Sequence, residues 1–188
     1  IEKDALAQVV RNAQQGDHAA FVSLYRRYKA LVWQRLTYFV NEQEAVQDLF
    51  QETFLRAWQK LPELKTDVPF ESWLKRIAAN LAIDYLRHEK QVRFVSLVED
   101  EGEGGTLSSL RNPGGIEAEI DLREGIRLAL LAMSPQNRAC VLLQDQQGFS
   151  QREIAQLLQI TEKSVSAYVS RGREQLRQAY LRSGVEPR

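Results

Sequence analysis

The sequence predicts an all-α protein of two small helical domains joined by a flexible acidic linker, the C-terminal domain carrying a helix-turn-helix. Three observations support this. Apolar residues recur at helical spacing over most of the 188 residues, and no stretch alternates with period two long enough to make a strand. The periodicity lapses once, in an acidic, glycine-rich stretch. The domains expected are therefore 1–91 and 117–188, with 92–116 as the linker.

In the first domain, Phe21, Leu24, Tyr25, Tyr28, Leu31, Val32, Leu36 and Phe39 form one apolar stripe, for which Asp17 is the expected N-cap. Val46, Leu49, Phe50, Phe54, Ala57, Trp58 and Leu61 form a second, and Phe70, Trp73, Leu74, Ile77, Leu81 and Tyr85 a third. Pro62 and Pro69 bracket a short loop between these two. The linker reads Glu-Asp-Glu-Gly-Glu-Gly-Gly, then Ser-Ser, then Asn-Pro-Gly-Gly, the composition of a solvated, flexible segment.

Beyond it, helices are expected at 117–133, 135–147, 151–158 and 162–181. Ser134 before Pro135 is an N-cap followed by proline at the first helical position, and Gly148 can end that helix. Ser150 and Glu153 make a capping box, and Thr161 can cap the last helix. Two helices meeting steeply across Gln159-Ile160-Thr161 need a small residue and fixed apolar contacts. Ala155 is the small residue, and Ile154, Leu158, Ile160, Val165 and Tyr168 are the contacts. The turn often holds a left-handed glycine. Gln159 in that conformation costs about 1 kcal/mol, which packing can absorb.

Composition excludes several classes. Hydrophobic residues are 44% and charged residues 27%, and no apolar run approaches the roughly 18 residues of a membrane span. Cys140 is the lone cysteine and sits in an apolar helix, so a buried, inert thiol is expected. With only His18 and His88 beside it, neither a disulfide framework nor a Cys/His zinc site is expected. No His/Asp/Glu cluster or glycine-rich phosphate loop points to an enzyme or a cofactor. A reducing, cytoplasmic location follows as the expectation, without membrane insertion.

Formal net charge is zero, yet charge is unevenly spread. From Val92 to Gly125 there are eight acids against three arginines, and from Ile126 onward nine Lys/Arg against five Asp/Glu. With Val165, Tyr168, Val169, Gly172 and Leu176 facing inward, the last helix is expected to expose Lys163, Ser164, Ser166, Ala167, Ser170, Arg171 and Arg173. Small polar residues near its start allow entry into a major groove, and arginines can read guanine edges or hold phosphates. Arg152, at the start of the preceding helix, suits a phosphate. These eight residues are the candidate duplex-binding set.

In the first domain, Asp48, Gln51, Glu52 and Leu55 lie away from the second stripe, a mixed acidic and apolar face suited to docking on another protein. On the third helix, Arg76, Asn80, Asp84 and Arg87 share an edge with Lys75 nearby. Such an edge can hold a single strand, its cations on phosphates and an amide on an unstacked base. Trp58 and Trp73 sit on the apolar stripes and are expected in the core rather than as stacking platforms.

The segment Asp48-Leu-Phe-Gln-Glu-Thr-Phe-Leu-Arg-Ala-Trp58, then Phe70-Glu-Ser-Trp-Leu-Lys-Arg-Ile-Ala-Ala-Asn80-Leu-Ala-Ile-Asp84-Tyr-Leu-Arg87, closely resembles bacterial RNA polymerase sigma factors of the sigma-70 family, in the short extracytoplasmic-function (ECF) group. Gly16-Asp-His-Ala-Ala-Phe21, Ser134-Pro-Gln-Asn-Arg138 and Gly148-Phe-Ser-Gln-Arg-Glu-Ile-Ala155 fit the same family, so the resemblance spans nearly the whole chain.

The resemblance implies an alternative sigma factor that binds core RNA polymerase and directs initiation by reading the −35 duplex and the melted −10 element. The face of Asp48, Gln51, Glu52 and Leu55 would grip the clamp helices of the largest subunit, and the flap is a further contact. The third helix and the loop before it, including Lys65, would capture −10 bases, with Asn80 the base reader. The linker would run toward the polymerase active-site channel, its acids (Glu99 to Glu103) mimicking RNA, with a plain solvated linker as the alternative. An anti-sigma factor would hold the protein in check. The early part of the last helix, Val165-Ser-Ala-Tyr168, is neutral where family members commonly carry a second basic cluster, so modest −35 affinity is expected. The rival function is a conventional helix-turn-helix regulator whose first domain senses a ligand or dimerises.

Overall fold

The computed structural model of the chain describes residues 2–65, 68–88 and 116–182. Among them are eight α-helices and no strand: α1 (Glu2–Gln14), α2 (His18–Phe39), α3 (Gln43–Lys60), α4 (Phe70–His88), α5 (Ile116–Ala132), α6 (Pro135–Val141), α7 (Gln151–Leu158) and α8 (Glu162–Arg182). They group into two compact units, Ile1–Ala82 and Ile83–Arg188, divided within α4 rather than at the sequence boundary after 91. Of the expected linker, 92–115 lies outside the described residues; Ile116 already belongs to α5.

The first unit is held together by rings. Phe21 meets Trp58 edge-on at 4.9 Å, Tyr25 meets Phe54 at 4.8 Å, and Trp33 meets Phe50 at 5.6 Å between ring centres. Positions rise along α2 as they fall along α3, so the two helices pack antiparallel. Tyr28 then carries the contact to Phe70 at the start of α4 (5.4 Å). Such pairs add about 0.5–1.5 kcal/mol each beyond area burial. Asp17 caps α2 as expected, its Oδ1 accepting from the N–H groups of Ala19 (2.8 Å) and Ala20 (3.1 Å). The three expected stripes are the buried faces of α2, α3 and α4, with Leu24, Val32, Leu36, Ala57, Leu61 and Leu74 fully enclosed.

No apolar stripe is expected before Phe21, yet Leu6, Val10 and Ala13 recur at helical spacing and lie on α1. It is tied down by Gln14, whose Nε2 donates to the carbonyls of Leu61 (3.2 Å) and Leu64 (2.8 Å), across the short 3-10 turn Leu61–Glu63 that ends α3.

The second unit follows its caps. Ser134 Oγ accepts from the Asn137 N–H at 3.3 Å, Pro135 is the first helical residue, and the Ser150–Glu153 capping box is complete on both sides. The helix expected over 135–147 is α-helical only to Val141. Leu142–Gln146 is a π-turn, its wide register set by the Gln147 N–H donating to the Leu142 carbonyl at 3.1 Å, and Gly148 reverses the chain at φ +70°. Two polar residues of α6 are buried. Arg138 donates from one terminal nitrogen to the carbonyls of Leu130 (3.5 Å) and Leu131 (3.2 Å), supplying donors that the end of α5 lacks. Asn137 Nδ2 donates to Gln175 Oε1 on α8 at 3.1 Å.

Gln159 takes the left-handed conformation (φ 58°, ψ 43°), the strained position anticipated for the turn. The Ile160 N–H donates to the Ala155 carbonyl at 3.0 Å and the Gln159 N–H to that of Gln156 at 3.4 Å, a Schellman closure of α7. Ile154, Ala155, Leu158, Ile160, Val165 and Tyr168 are all buried, as the helix-turn-helix spacing requires. Ser164 departs from expectation. It is 1% exposed, not outward-facing: its N–H donates to Thr161 Oγ1 at 3.1 Å, and the two hydroxyls lie 2.8 Å apart. The third residue of α8 folds back on the helix cap, so its hydroxyl serves the turn. Leu176 is only half-buried. Cys140 is fully enclosed and burial pushes its thiol up to about 12, as its apolar neighbours implied.

Helix α8 lies close on α6 because position 172 lacks a side chain. A Cβ there would come within 2.5 Å of Val141 Cγ2 and 2.8 Å of Met133 Cε. Gly172→Ala gains about 1 kcal/mol in helix propensity but overpacks against a short branched neighbour at about 1–3 kcal/mol. The variant is expected to melt below wild type, and amide exchange in α6 and α8 to quicken. Gln159→Gly removes the left-handed penalty and is expected to raise the stability of the second unit by about 1 kcal/mol, read from the denaturation midpoint.

Candidate nucleic-acid interface

In the second unit the surface is organised by α8. With Val165, Tyr168, Val169 and Gly172 turned inward, Lys163, Ser166, Ser170, Arg171 and Arg173 are exposed and Ala167 is half-buried. Arg152 is exposed on the first turn of α7. Seven of the eight candidate residues thus lie at the surface, and Ser164 is withdrawn from the set by its burial. Arg173 is engaged: its Nε and one terminal nitrogen donate to Asp145 Oδ2 (3.1 Å) and Oδ1 (2.5 Å), and this bond raises its pKa. Arg177 lies 3.7 Å from Glu174. Two cations on this face are therefore partly neutralised, and the sequence did not show the first pairing because 145 and 173 are far apart in the chain.

In the first unit, Asp48, Gln51 and Leu55 are exposed along α3, Leu55 at 51%, and Glu52 is half-buried. Glu52 accepts from Arg56 Nε at 2.6 Å, a solvent-screened pair between successive turns. An open leucine between carboxylate and amide side chains is a surface that gains by being covered.

On α4, Arg76, Asn80 and Asp84 are exposed at intervals of four and so share one edge, and Arg87 is half-buried near its end. Lys75 is half-buried and held by Glu71 Oε1 at 2.5 Å, one turn back. Lys65 is exposed at the rim of an apolar groove of about 400 Å³ formed with Leu6, Val10, Val68 and Phe70. Trp58 and Trp73 are half-buried and engaged with His18, Phe21 and Phe70, in keeping with a packing role. Among the described residues no helix is long and apolar enough to cross a membrane, and no group of His, Cys, Asp and Glu could hold a metal ion.

The family model for sigma-70 region 2 matches residues 24–92, which include the faces of α3 and α4, and that for sigma-70 region 4 matches residues 123–176, which include the helix-turn-helix. Relatives agree over most of the chain. The ECF RNA polymerase sigma factor SigE of Mycolicibacterium smegmatis is 34% identical over 166 residues, 86% of this chain and 63% of the relative's length. SigW of Bacillus subtilis is 28% identical over 89% of this chain and 92% of its own, and the sigma-E factor of Escherichia coli 29% identical over 88% and 89%. Two solved structures share the fold at a TM-score of 0.54. One is CnrH in complex with the cytosolic domain of CnrY (23% identity, 93% of this chain and 96% of that one). The other is the sigma factor RpoE of Bartonella quintana with the anti-sigma factor NepR (18%, 86% and 96%). With both regional models matched in order, the chain belongs to the sigma-70 family, in its extracytoplasmic-function group, and is a transcription-initiation factor rather than an enzyme.

Proposed function

We propose that the chain divides promoter reading between two segments, an N-terminal and a C-terminal one. The limits proposed are 1–91 for polymerase docking and −10 capture, 117–188 for the −35 duplex, and 92–116 as an acidic connector. Asp48, Gln51, Glu52 and Leu55 on α3 dock on the clamp helices of core RNA polymerase. Lys65, Lys75, Arg76 and Arg87 hold the phosphates of the melted strand, while Asn80, beside Asp84, reads an unstacked base. Lys163, Ser166, Ala167, Ser170, Arg171 and Arg152 meet the −35 duplex, Arg173 only when freed from Asp145, and the polymerase flap holds this unit in place. The protein acts in the cytoplasm under an anti-sigma factor, a reading supported by the complex of the sigma factor RpoE with the anti-sigma factor NepR.

The observation that carries this reading is the exposed edge Arg76–Asn80–Asp84 on α4 in the same chain as a basic, surface-facing α8. Melting then draws on binding energy: each captured base offsets an unstacking cost of a few kcal/mol, and phosphate contacts add salt-dependent affinity.

The test is in vitro transcription with purified core polymerase over a genomic promoter library. Wild type is expected to initiate from a defined promoter set. Asn80→Ala should reduce open-complex formation about tenfold or more, by losing a base contact worth roughly 1–3 kcal/mol. Arg171→Ala should weaken promoter binding and flatten its salt dependence by about one phosphate contact. No initiation by wild type from any promoter would sink the reading.

A further inference from the structure

Arg173 differs from the other basic residues of α8 in having a bidentate partner. Asp145 reaches it from the π-turn Leu142–Gln146, an element with one more residue per turn than an α-helix. The wider turn alters the phase of the residues within it relative to an uninterrupted α-helix, and in the observed register the Asp145 carboxylate meets α8. Both side chains keep contact with solvent, at 36% and 54% exposure, so the pair is screened and open to exchange. Arg173 also lines a polar hollow of about 460 Å³ together with Ser166, Ser170, Gln151 and Arg177, which places it at the edge of the surface read as duplex-facing. Arg171 has no ion pair among the described residues.

We propose that Asp145 is an electrostatic gate on the C-terminal module: its carboxylate competes with DNA phosphate for Arg173 and so sets the affinity and salt dependence of duplex binding. This rests on α8 being the duplex-binding helix. When a phosphate takes the guanidinium, Asp145 is released to solvent; when the duplex leaves, the pair re-forms. Asp145 is thus a positioning residue that acts through Arg173 rather than on DNA.

The sign of the effect separates this from a buttress. A carboxylate that merely aimed Arg173 at the duplex would strengthen binding, whereas a competitor weakens it. One phosphate contact contributes a slope of about 0.9 in log K against log salt, a factor of about eight at ~0.1 M salt.

The experiment is fluorescence anisotropy of the full chain on a labelled duplex of mixed sequence, over a KCl series, with circular dichroism melting of every variant. Asp145→Asn is expected to bind several-fold tighter, with a slope steeper by up to about 0.9 as Arg173 engages phosphate more fully, and Asp145→Ser replaces it if the amide perturbs the π-turn. Asp145→Asn with Arg173→Gln should lose the gain. A gain that persists in that double variant shows a general loss of negative charge and overturns the gate, as does unchanged or weaker binding by the single variant. Arg171→Gln is the control for the underlying reading. If it leaves duplex affinity unchanged, α8 is not the duplex-binding helix; if it weakens binding while Asp145→Asn does nothing, only the gate fails.

Discussion

The outward face of α8 depends on one close approach, that of the Gly172 backbone to the side chains of Val141 and Met133. A helix that must lie this close has its rotation fixed, because turning it by one residue would drive a side chain into α6. Asn137 fixes the same rotation through Gln175, one turn beyond Gly172. Arg138, by satisfying the carbonyls at the end of α5, holds that helix end where Met133 completes the contact. Once this seam is set, the identity of the surface side chains follows from sequence alone: Lys163, Ser166, Ser170 and Arg171 have nowhere else to go.

The first unit achieves the same kind of separation by another route. A run of ring contacts between α2, α3 and the start of α4 flanks a largely aliphatic core that includes Leu24, Leu36 and Leu74, and together they leave the opposite face of α3 free of packing duties. That is why Leu55 can stay at the surface between Gln51 and Glu52. About half of Leu55 is still open to solvent, and covering it against a partner helix would gain about 1–1.5 kcal/mol. On α4 the small residues Ala78, Ala79 and Ala82 are buried, so the edge of Arg76, Asn80 and Asp84 is carried on a helix that can sit close to its neighbours.

Much of this was legible in the sequence because it is local. Caps declare themselves within four residues, which is why Asp17, Ser134 and the Ser150–Glu153 box lie where expected, and why Gln159 is recognisable at the turn position that a left-handed glycine often fills. The candidate surface was legible to the extent that helical phase is, and phase is least certain at a helix start. Ser164 lies beside Val165 at the beginning of α8, where the cap draws the third residue inward, and spacing alone put it on the wrong side. Other features were not local. The pairing of Asp145 with Arg173, the π-turn that permits it, the docking of α1 through Gln14 and the burial of Arg138 all join distant segments or alter register, and no periodicity encodes them.

A chain of zero net charge can still bind a polyanion if its charges are sorted, but here the sorting is incomplete. Of the arginines on the exposed part of α8, Arg173 is taken up by Asp145 and Arg177 leans toward Glu174, while the early turns present mostly serine and alanine beside Lys163. Each phosphate contact withheld lowers non-specific affinity several-fold at physiological salt. For a free-standing repressor that would be a defect. For a subunit that reads DNA only alongside a larger enzyme it is an advantage, because affinity then comes from linking weak sites, where effective concentration multiplies modest contacts. The weak duplex binding expected of the C-terminal unit and the polymerase-docking face proposed on α3 are thus one design. A module that bound DNA tightly by itself would be held on the genome's many competing sites before meeting its partner.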